Sequence, residues 1–318
     1  MTHNILLIGA TGFIGQHVVP KLAQLNCRIS ILTRRADRAR NFITLPTVEV
    51  IEADANTDGV LQQAVKDKTA VINLAGILHS RKGWPYGPDF AKVHVALPEK
   101  IIAAMHTAKV SRLLHVSALG ACSEGLSMYS RSKAAGEAVI KASGLQWTIF
   151  QPSVVFGPED HFLNVFARLA KYFPVLALAG SNARLQPVYV EDVAQAIVQA
   201  LDQPHTFRKT FELAGPHIYT LKELVQISSL AATGSLRPIL PLPWSIGKLQ
   251  ALFFECLPGN PLMSRDNLDS LKTDNISGLQ GLQSLGITPT ALEPIAAQYL
   301  AGKHPRSHYD AYRIKHRN

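Results

Sequence analysis

The sequence predicts an α/β protein: a parallel, doubly wound sheet with a smaller C-terminal lobe. Three observations carry this. Apolar runs alternate with helical stretches as far as Gln151. The first run ends in a glycine-spaced turn that opens a helix. After Pro152 the alternation loosens. At 318 residues the chain is long enough for roughly two domains of ~150 residues each. With 47% hydrophobic and 17% charged residues, it is no disordered chain.

Asn4–Gly9 (NILLIG) is a continuous apolar run, the pattern of a strand buried on both faces. From Ile14 to Leu25, Val18, Val19, Leu22 and Leu25 recur at helical intervals. Arg28–Thr33 reads as the second strand. Val48–Glu52, Ala70–Ala75 and Leu113–Ser117 read as the third, fourth and fifth. Helical stretches near 57–67 and 89–108 separate them, and a helix over Ser127–Ala142 precedes the sixth strand, Gln146–Gln151. Such alternation implies parallel strands joined by helices. Beyond Pro152, His161–Lys171 puts Phe162, Val165, Phe166 and Leu169 on one helix face. Pro187–Val190 is a short strand leading into the helix Glu191–Leu201. Leu221–Ala231 and Ser245–Leu257 are further helices. In the last, Leu249, Leu252, Phe253, Cys256 and Leu257 form an apolar stripe, expected to pack on the second lobe or to line an apolar pocket there.

Composition narrows the function classes. Cys27, Cys122 and Cys256 are odd in number and widely spaced, with no C-x-x-C, so neither a disulfide framework nor a zinc ribbon is expected and no metal is assigned. A reducing cytoplasm fits. The N-terminal residues lack the basic stretch of a signal peptide. No apolar run reaches the ~18 residues of a membrane span. The net charge is +9, of which +4 falls in residues 303–318. The rest is mildly basic and shows no DNA-binding motif, so nucleic acid is not an expected partner. The basic tail, with Tyr309 and Tyr312, is the expected docking element for an acidic partner or the inner face of a membrane.

Gly9-Ala10-Thr11-Gly12-Phe13-Ile14-Gly15 follows a buried strand and opens a helix. Glycines permit a tight turn and close approach of backbone to a diphosphate, and the helix N-terminus offers N–H donors. Gly9, Thr11, Gly12, Phe13, Ile14 and Gly15 are therefore candidate dinucleotide-binding residues. This makes residues 1–155 a Rossmann-type domain, to which the chain returns around 184–214, and residues 156–318 the smaller substrate or partner lobe. The second strand ends Thr33-Arg34-Arg35, with no carboxylate for a ribose 2′-hydroxyl. A guanidinium suits a 2′-phosphate, so Arg34 favours NADP(H), with NAD(H) as the other option.

Tyr129 and Lys133 stand one helical turn apart. A nearby ammonium is expected to lower the phenol's pKa for proton transfer. Ser117, ending the fifth strand, is placed to bond the same substrate oxygen. Ser117, Tyr129 and Lys133 are the candidate catalytic set, suited to hydride chemistry at a carbonyl or alcohol. Tyr299 and Lys303 repeat the spacing without that context, so Tyr299→Phe is expected to be silent.

At these residues the chain resembles the short-chain dehydrogenase/reductase superfamily, in its extended or atypical branch of the NAD-dependent epimerase/dehydratase type. The carriers are the GATGFIG loop, Asp54 after the third strand, Asn73-Leu74-Ala75-Gly76 after the fourth, Ser117, Tyr129/Lys133, and Pro152–Pro158 (PSVVFGP). The resemblance implies Asp54 and Ala55 at the adenine. It implies Leu74, Ala75 and Gly76 at the ribose and diphosphate, Pro152 and Val155 at the nicotinamide side, and Lys133 on the nicotinamide ribose. Longer segments resemble bacterial relatives of the nucleotide-binding accessory subunit of respiratory complex I: 115–120 (HVSALG), 132–137 (SKAAGE), 162–164 (FLN), 186–194 (QPVYVEDVA) and Arg265-Asp266-Asn267-Leu268. That likeness implies a structurally held NADPH, and related fungal proteins are associated with ubiquinone biosynthesis. His94 and Gln151 stand where many extended enzymes have Asn and Arg. His94 reads as a buried, satisfied histidine or as a relay member, and Gln151 as a change at the substrate rim.

Two functions follow. One is an NADP(H)-dependent oxidoreductase or epimerase acting on an unidentified, quinone-related or other carbonyl or alcohol substrate. The other is a cofactor-loaded subunit or assembly factor working beside a respiratory or quinone enzyme.

Overall fold

The computed structural model describes residues 3–256, 261 and 263–301. The tail 303–318, expected to dock, lies outside the described residues, as do Leu257 and Lys303. Seven strands form the central sheet: β1 (Asn4–Ile8), β2 (Arg28–Thr33), β3 (Val48–Glu52), β4 (Ala70–Asn73), β5 (Arg112–Val116), β6 (Gln146–Pro152) and β11 (Lys209–Leu213). Their order is β11-β6-β5-β4-β1-β2-β3, and every neighbouring pair is parallel. Four short strands, β7 (Val155–Phe156), β8 (Leu176–Ala179), β9 (Arg184–Leu185) and β10 (Val188–Tyr189), precede β11. Two more, β12 (Tyr219–Thr220) and β13 (Ile239–Leu242), follow it. They pair as β7–β10, β8–β13 and β9–β12.

Both faces of the central sheet are covered, which is why its inner strands, β1 and β4 above all, are mostly apolar. One face, with Ile5, Leu7, Ile31 and Leu114, packs on helices α1 (Phe13–Gln24) and α7 (Val190–Gln199). The other, with Leu6, Ile8, Val71 and Ile149, packs on α2 (Val60–Val65), α4 (Leu97–Thr107) and α5 (Met128–Lys141). Pro88–Phe90 is a single turn, α3, continuing through a π-helical segment, Ala91–Ala96, into α4. The expected helix 89–108 is thus one helix with a widened turn. A separate core joins α6 (Leu163–Tyr172), α8 (Leu221–Thr233) and, near the C-terminus, α12 (Leu292–Leu300), around Phe156, Leu224 and Ala296.

Three features differ from the sequence reading. The sheet gains a seventh strand, β11. It is an edge strand with only Phe211 and Leu213 buried, too short an alternation to stand out. Leu282, Leu285 and Ile287, patterned as part of the second lobe, enter the sheet's core instead, through α11 (Gly281–Ser284) beside β11. In α9 (Trp244–Cys256) the apolar stripe faces outward: Leu249, Leu252 and Phe253 are 67%, 38% and 62% exposed. The buried residues are the small ones, Gly247 and Ala251. A Cβ on Gly247 would stand 2.3 Å from that of Ala179, so the helix packs through its smallest side chains and turns its largest away. Among the described residues no helix is long and apolar enough to cross a membrane, and no group of His, Cys, Asp or Glu is arranged to hold a metal ion.

Candidate active site

The strand order reverses between β1 and β4, and open α/β sheets bind ligands at the carboxyl ends flanking such a reversal. The glycine loop leaves β1 there, and Leu74–Gly76 leave β4. The two backbones nearly touch. Gly9 has φ +85°, and a Cβ on it would lie 2.7 Å from Ala75 N and Leu74 C. At Gly15 a Cβ would lie 2.3 Å from the Ala10 carbonyl oxygen, so glycine is needed for α1 to begin against the strand. No side chain caps α1 and its first turn holds no acid. Thr11, Gly12, Phe13 and Ile14 thus open a helix whose N–H donors and dipole suit an anionic diphosphate.

At the end of β2, Arg35 forms a forked ion pair with Asp37, at 3.2 and 2.8 Å. Arg34 is exposed and makes no ion pair among the described residues. Asp54, followed by Ala55, accepts the Asn56 backbone and side-chain N–H groups, both at 2.9 Å. Those bonds hold its carboxyl below the usual range. After β4, Asn73 accepts Ala75 N–H at 3.1 Å and donates to His115 Nδ1 at 3.1 Å, which fixes the Leu74–Gly76 turn. Pro152 is buried at the end of β6 and its carbonyl accepts Leu119 N–H. Val155, in β7, packs against the sheet core.

Ser117 follows β5 and is 3% exposed. Its Oγ is buried with no hydrogen-bond partner. The preceding carbonyl, of Val116, accepts the Lys133 ammonium at 3.2 Å. Lys133 Nζ also lies 5.9 Å from the centre of the Tyr129 ring. Burial pushes Lys133 down to about 8, against the opposing pull of Glu137. The Tyr129 hydroxyl is pushed up to about 12, by burial alone. The expected lowering by Lys133 is therefore absent: the ammonium sits against a carbonyl and the ring, and desolvation of the phenolate prevails. A phenol held protonated is a proton donor, and a buried hydroxyl without a partner is suited to bonding a substrate oxygen. Such a set can protonate an alkoxide as it forms.

The Tyr129 ring is boxed by Phe90 and His94, with ring centres 5.9 and 5.7 Å away. His94 accepts Ile77 N–H through Nε2 at 3.2 Å, so the ring proton belongs on Nδ1, which faces Ser132 Oγ at 2.8 Å. Both nitrogens are occupied, and burial pushes the imidazole down to about 2. This is the buried, satisfied histidine. Gln151, expected at the substrate rim, instead donates to Glu137 on α5 at 2.7 Å. The pairing satisfies a carboxylate that is only 4% exposed. The sequence reading missed Phe90, and it named Asp266 only within the 265–268 likeness, without its role. Phe90 precedes His94 by one helical turn, a findable signal. Asp266 caps α5 from far along the chain and has no local signal.

Tyr299 stands apart from the candidate catalytic set but has a structural bond of its own. Its hydroxyl donates to Asp160 at 2.6 Å, and Asp160 also accepts the backbone N–H groups of Gly157, Phe162 and Asn164. Tyr299→Phe should lower unfolding stability by about 1.5–3 kcal/mol, the worth of a hydrogen bond to a charged group, with nucleotide affinity unchanged. Urea unfolding checks this, and an unshifted midpoint would show that the bond contributes nothing.

Residues 5–214 match the NAD dependent epimerase/dehydratase family. Subunit 9 of the mitochondrial NADH dehydrogenase [ubiquinone] 1 alpha subcomplex of Mus musculus is 33% identical over 295 residues, covering 90% of this chain and 77% of that protein. A ceramide reductase of Caulobacter vibrioides is 32% identical over 196 residues, 61% of this chain and 59% of that one. Among solved structures, the Thermus thermophilus UDP-glucose 4-epimerase complex with NAD superposes with a TM-score of 0.69 at 22% identity. That match covers 95% of this chain and all of the other.

Proposed function

Because the chain belongs to the NAD dependent epimerase/dehydratase family, we propose that it is an NADP(H)-dependent oxidoreductase whose proton donor to a substrate carbonyl is Tyr129. The observation that carries this is the Ser117 hydroxyl, buried and unpartnered one residue beyond the carbonyl that takes Lys133. A buried hydroxyl left without a bond costs about 1–3 kcal/mol, and a substrate oxygen would recover that cost.

The glycine loop and the α1 N-terminus would hold the diphosphate. Asp54 and Ala55 would flank the adenine, Leu74–Gly76 the ribose and diphosphate, and Pro152 and Val155 the nicotinamide side. NADPH, when bound, supplies the hydride. Ser117 donates to the substrate oxygen and orients it. Tyr129, protonated at neutral pH, gives its proton to that oxygen as negative charge develops. Lys133, still cationic at neutral pH, would hold the nicotinamide ribose, as the family resemblance implies, while it bonds the Val116 carbonyl. The name of the Caulobacter vibrioides relative, a reductase, supports the reductive direction.

Arg34 would select the phosphorylated cofactor. The wild type should bind NADPH more tightly than NADH. Arg34→Asp should weaken NADPH by about 10- to 100-fold, one charge-assisted contact, with little change for NADH. Paired fluorescence titrations test this. A wild type that prefers NADH would refute the 2′-phosphate assignment, and a preference unmoved by the substitution would remove Arg34 from it.

A second reading has a specific observation behind it: relatives that cover most of the chain are named as subunits of mitochondrial NADH dehydrogenase. Under that reading the protein is a cofactor-loaded subunit or assembly factor of a respiratory or quinone enzyme, and Tyr129 turns over nothing.

A further inference from the structure

The segment Arg265-Asp266-Asn267-Leu268 stands out in the sequence but has no part in the site described above. It forms the first residues of α10 (Arg265–Ser270), and each side chain has its own contact. The Arg265 guanidinium clamps Glu255 of α9 at 2.6 and 2.9 Å, and its backbone N–H donates to the same carboxylate at 2.7 Å. Asn267 closes a capping box with Ser264. Leu268 is fully buried against Ala179 and Ala251. Asp266 alone of the four reaches to α5. Its two carboxylate oxygens accept Met128 N–H at 2.6 Å and Tyr129 N–H at 3.0 Å.

A helix leaves its first four N–H groups without partners of its own. On α5 the N–H groups of its first three residues, Met128, Tyr129 and Ser130, all find side-chain acceptors. Ser130 N–H bonds Ser127 Oγ at 3.1 Å, and Arg131 N–H bonds the Ser127 carbonyl at 3.3 Å. Met128 and Tyr129 depend wholly on Asp266, which is 138 and 137 residues away in sequence. Both donors are backbone groups, so the pair of bonds fixes the first turn of α5 rather than a side chain. Tyr129 is the second residue of that turn, with its ring then confined by Phe90 and His94. A local cap already exists in Ser127. The added carboxylate therefore does something that Ser127 does not: it anchors this turn to α10, and through Arg265 and Leu268 to the second lobe.

We propose that Asp266 is a positioning residue that couples the second lobe to Tyr129, so that the placement of the lobe sets where the phenol hydroxyl stands. This rests on the reading of Tyr129 as the proton donor.

The test uses the full-length chain with fluorotyrosine incorporated at position 129, in wild type, Asp266→Ala, Asp266→Asn and Thr220→Ala. The last removes the cap of α8, a comparable loss far from Tyr129. Three quantities are read: the fluorine resonance, amide exchange over 127–133, and NADPH affinity. Asp266→Ala should shift or broaden the resonance and speed first-turn exchange by about tenfold or more, as local opening replaces a tied turn. NADPH affinity should stay within about twofold, because the glycine loop is untouched. Asp266→Asn, which keeps one acceptor oxygen, should fall between. Thr220→Ala should leave the resonance in place. A resonance unmoved by Asp266→Ala, or moved equally by Thr220→Ala, overturns the proposal. Loss of the underlying reading would show separately, as full turnover in Tyr129→Phe, whatever the resonance does.

Discussion

Gly9→Val should eliminate nucleotide binding. Gly9 has φ +85°, and a Cβ there would stand 2.7 Å from the backbone of Leu74 and Ala75. The left-handed conformation alone costs a residue with a side chain roughly 1–2 kcal/mol, and more when it is β-branched. The clash is with backbone, so no rotamer relieves it. To fit, the loop after β1 or the turn after β4 must move, and both are assigned to the cofactor. The expected result is no measurable NADPH affinity and a melting point well below wild type, since a few kcal/mol is a large part of a typical stability of about 5–15 kcal/mol. Gly278→Ala is the control, because a Cβ there meets nothing within 4 Å. Nucleotide titration with a thermal melt checks both. Binding by Gly9→Val within about tenfold of wild type would show that the two loops can separate without harm and that the cofactor assignment to them is wrong.

The second large effect is at Tyr129. Tyr129→Phe keeps the ring between Phe90 and His94 and removes only the hydroxyl. Loss of a general acid costs roughly 100- to 10,000-fold in rate. NADPH affinity should change by less than about twofold, because the phenol makes no ground-state contact that the cofactor needs. The Lys133 ammonium keeps its carbonyl partner, Val116, so the fold should be intact. Turnover and nucleotide affinity measured on one preparation test this. Retained turnover would exclude Tyr129 as the donor.

How much of this was legible in the sequence follows from where each signal is stored. Strands β1, β2, β4, β5 and β6 were readable because they lie inside the sheet with both faces covered, which favours apolar residues at most positions, and the edge strand β3 was readable from Val48, Val50 and Ile51. The glycine loop was readable because steric demands on Gly9 and Gly15 are local. The i, i+4 spacing of Tyr129 and Lys133 was readable for the same reason. Its electrostatics were not: the depth of burial that raises the phenol to about 12 is a property of the packed site. The edge strand β11 was missed because its pairing, not its composition, makes it a strand. The outward stripe of α9 misled because helical periodicity shows that a face exists but not which way it turns. There the smallest residues, Gly247 and Ala251, decided the packing. Asp266 was singled out within the 265–268 likeness, but its role could not be read from the chain, since its donors lie 137 and 138 residues away.

Whether Tyr129 works beside a reactive cofactor or beside one held only as structure is decided most directly by isotope transfer. NADPH deuterated at its transferable position is incubated with the protein and a small-molecule and lipid extract of the native host, and the products are searched by mass spectrometry for deuterium bound to carbon. The expected result is a deuterated alcohol with the wild type that is missing with Tyr129→Phe, although both proteins bind NADPH. Stoichiometric NADPH binding with no deuterium in any product would contradict the oxidoreductase and leave the cofactor-loaded subunit.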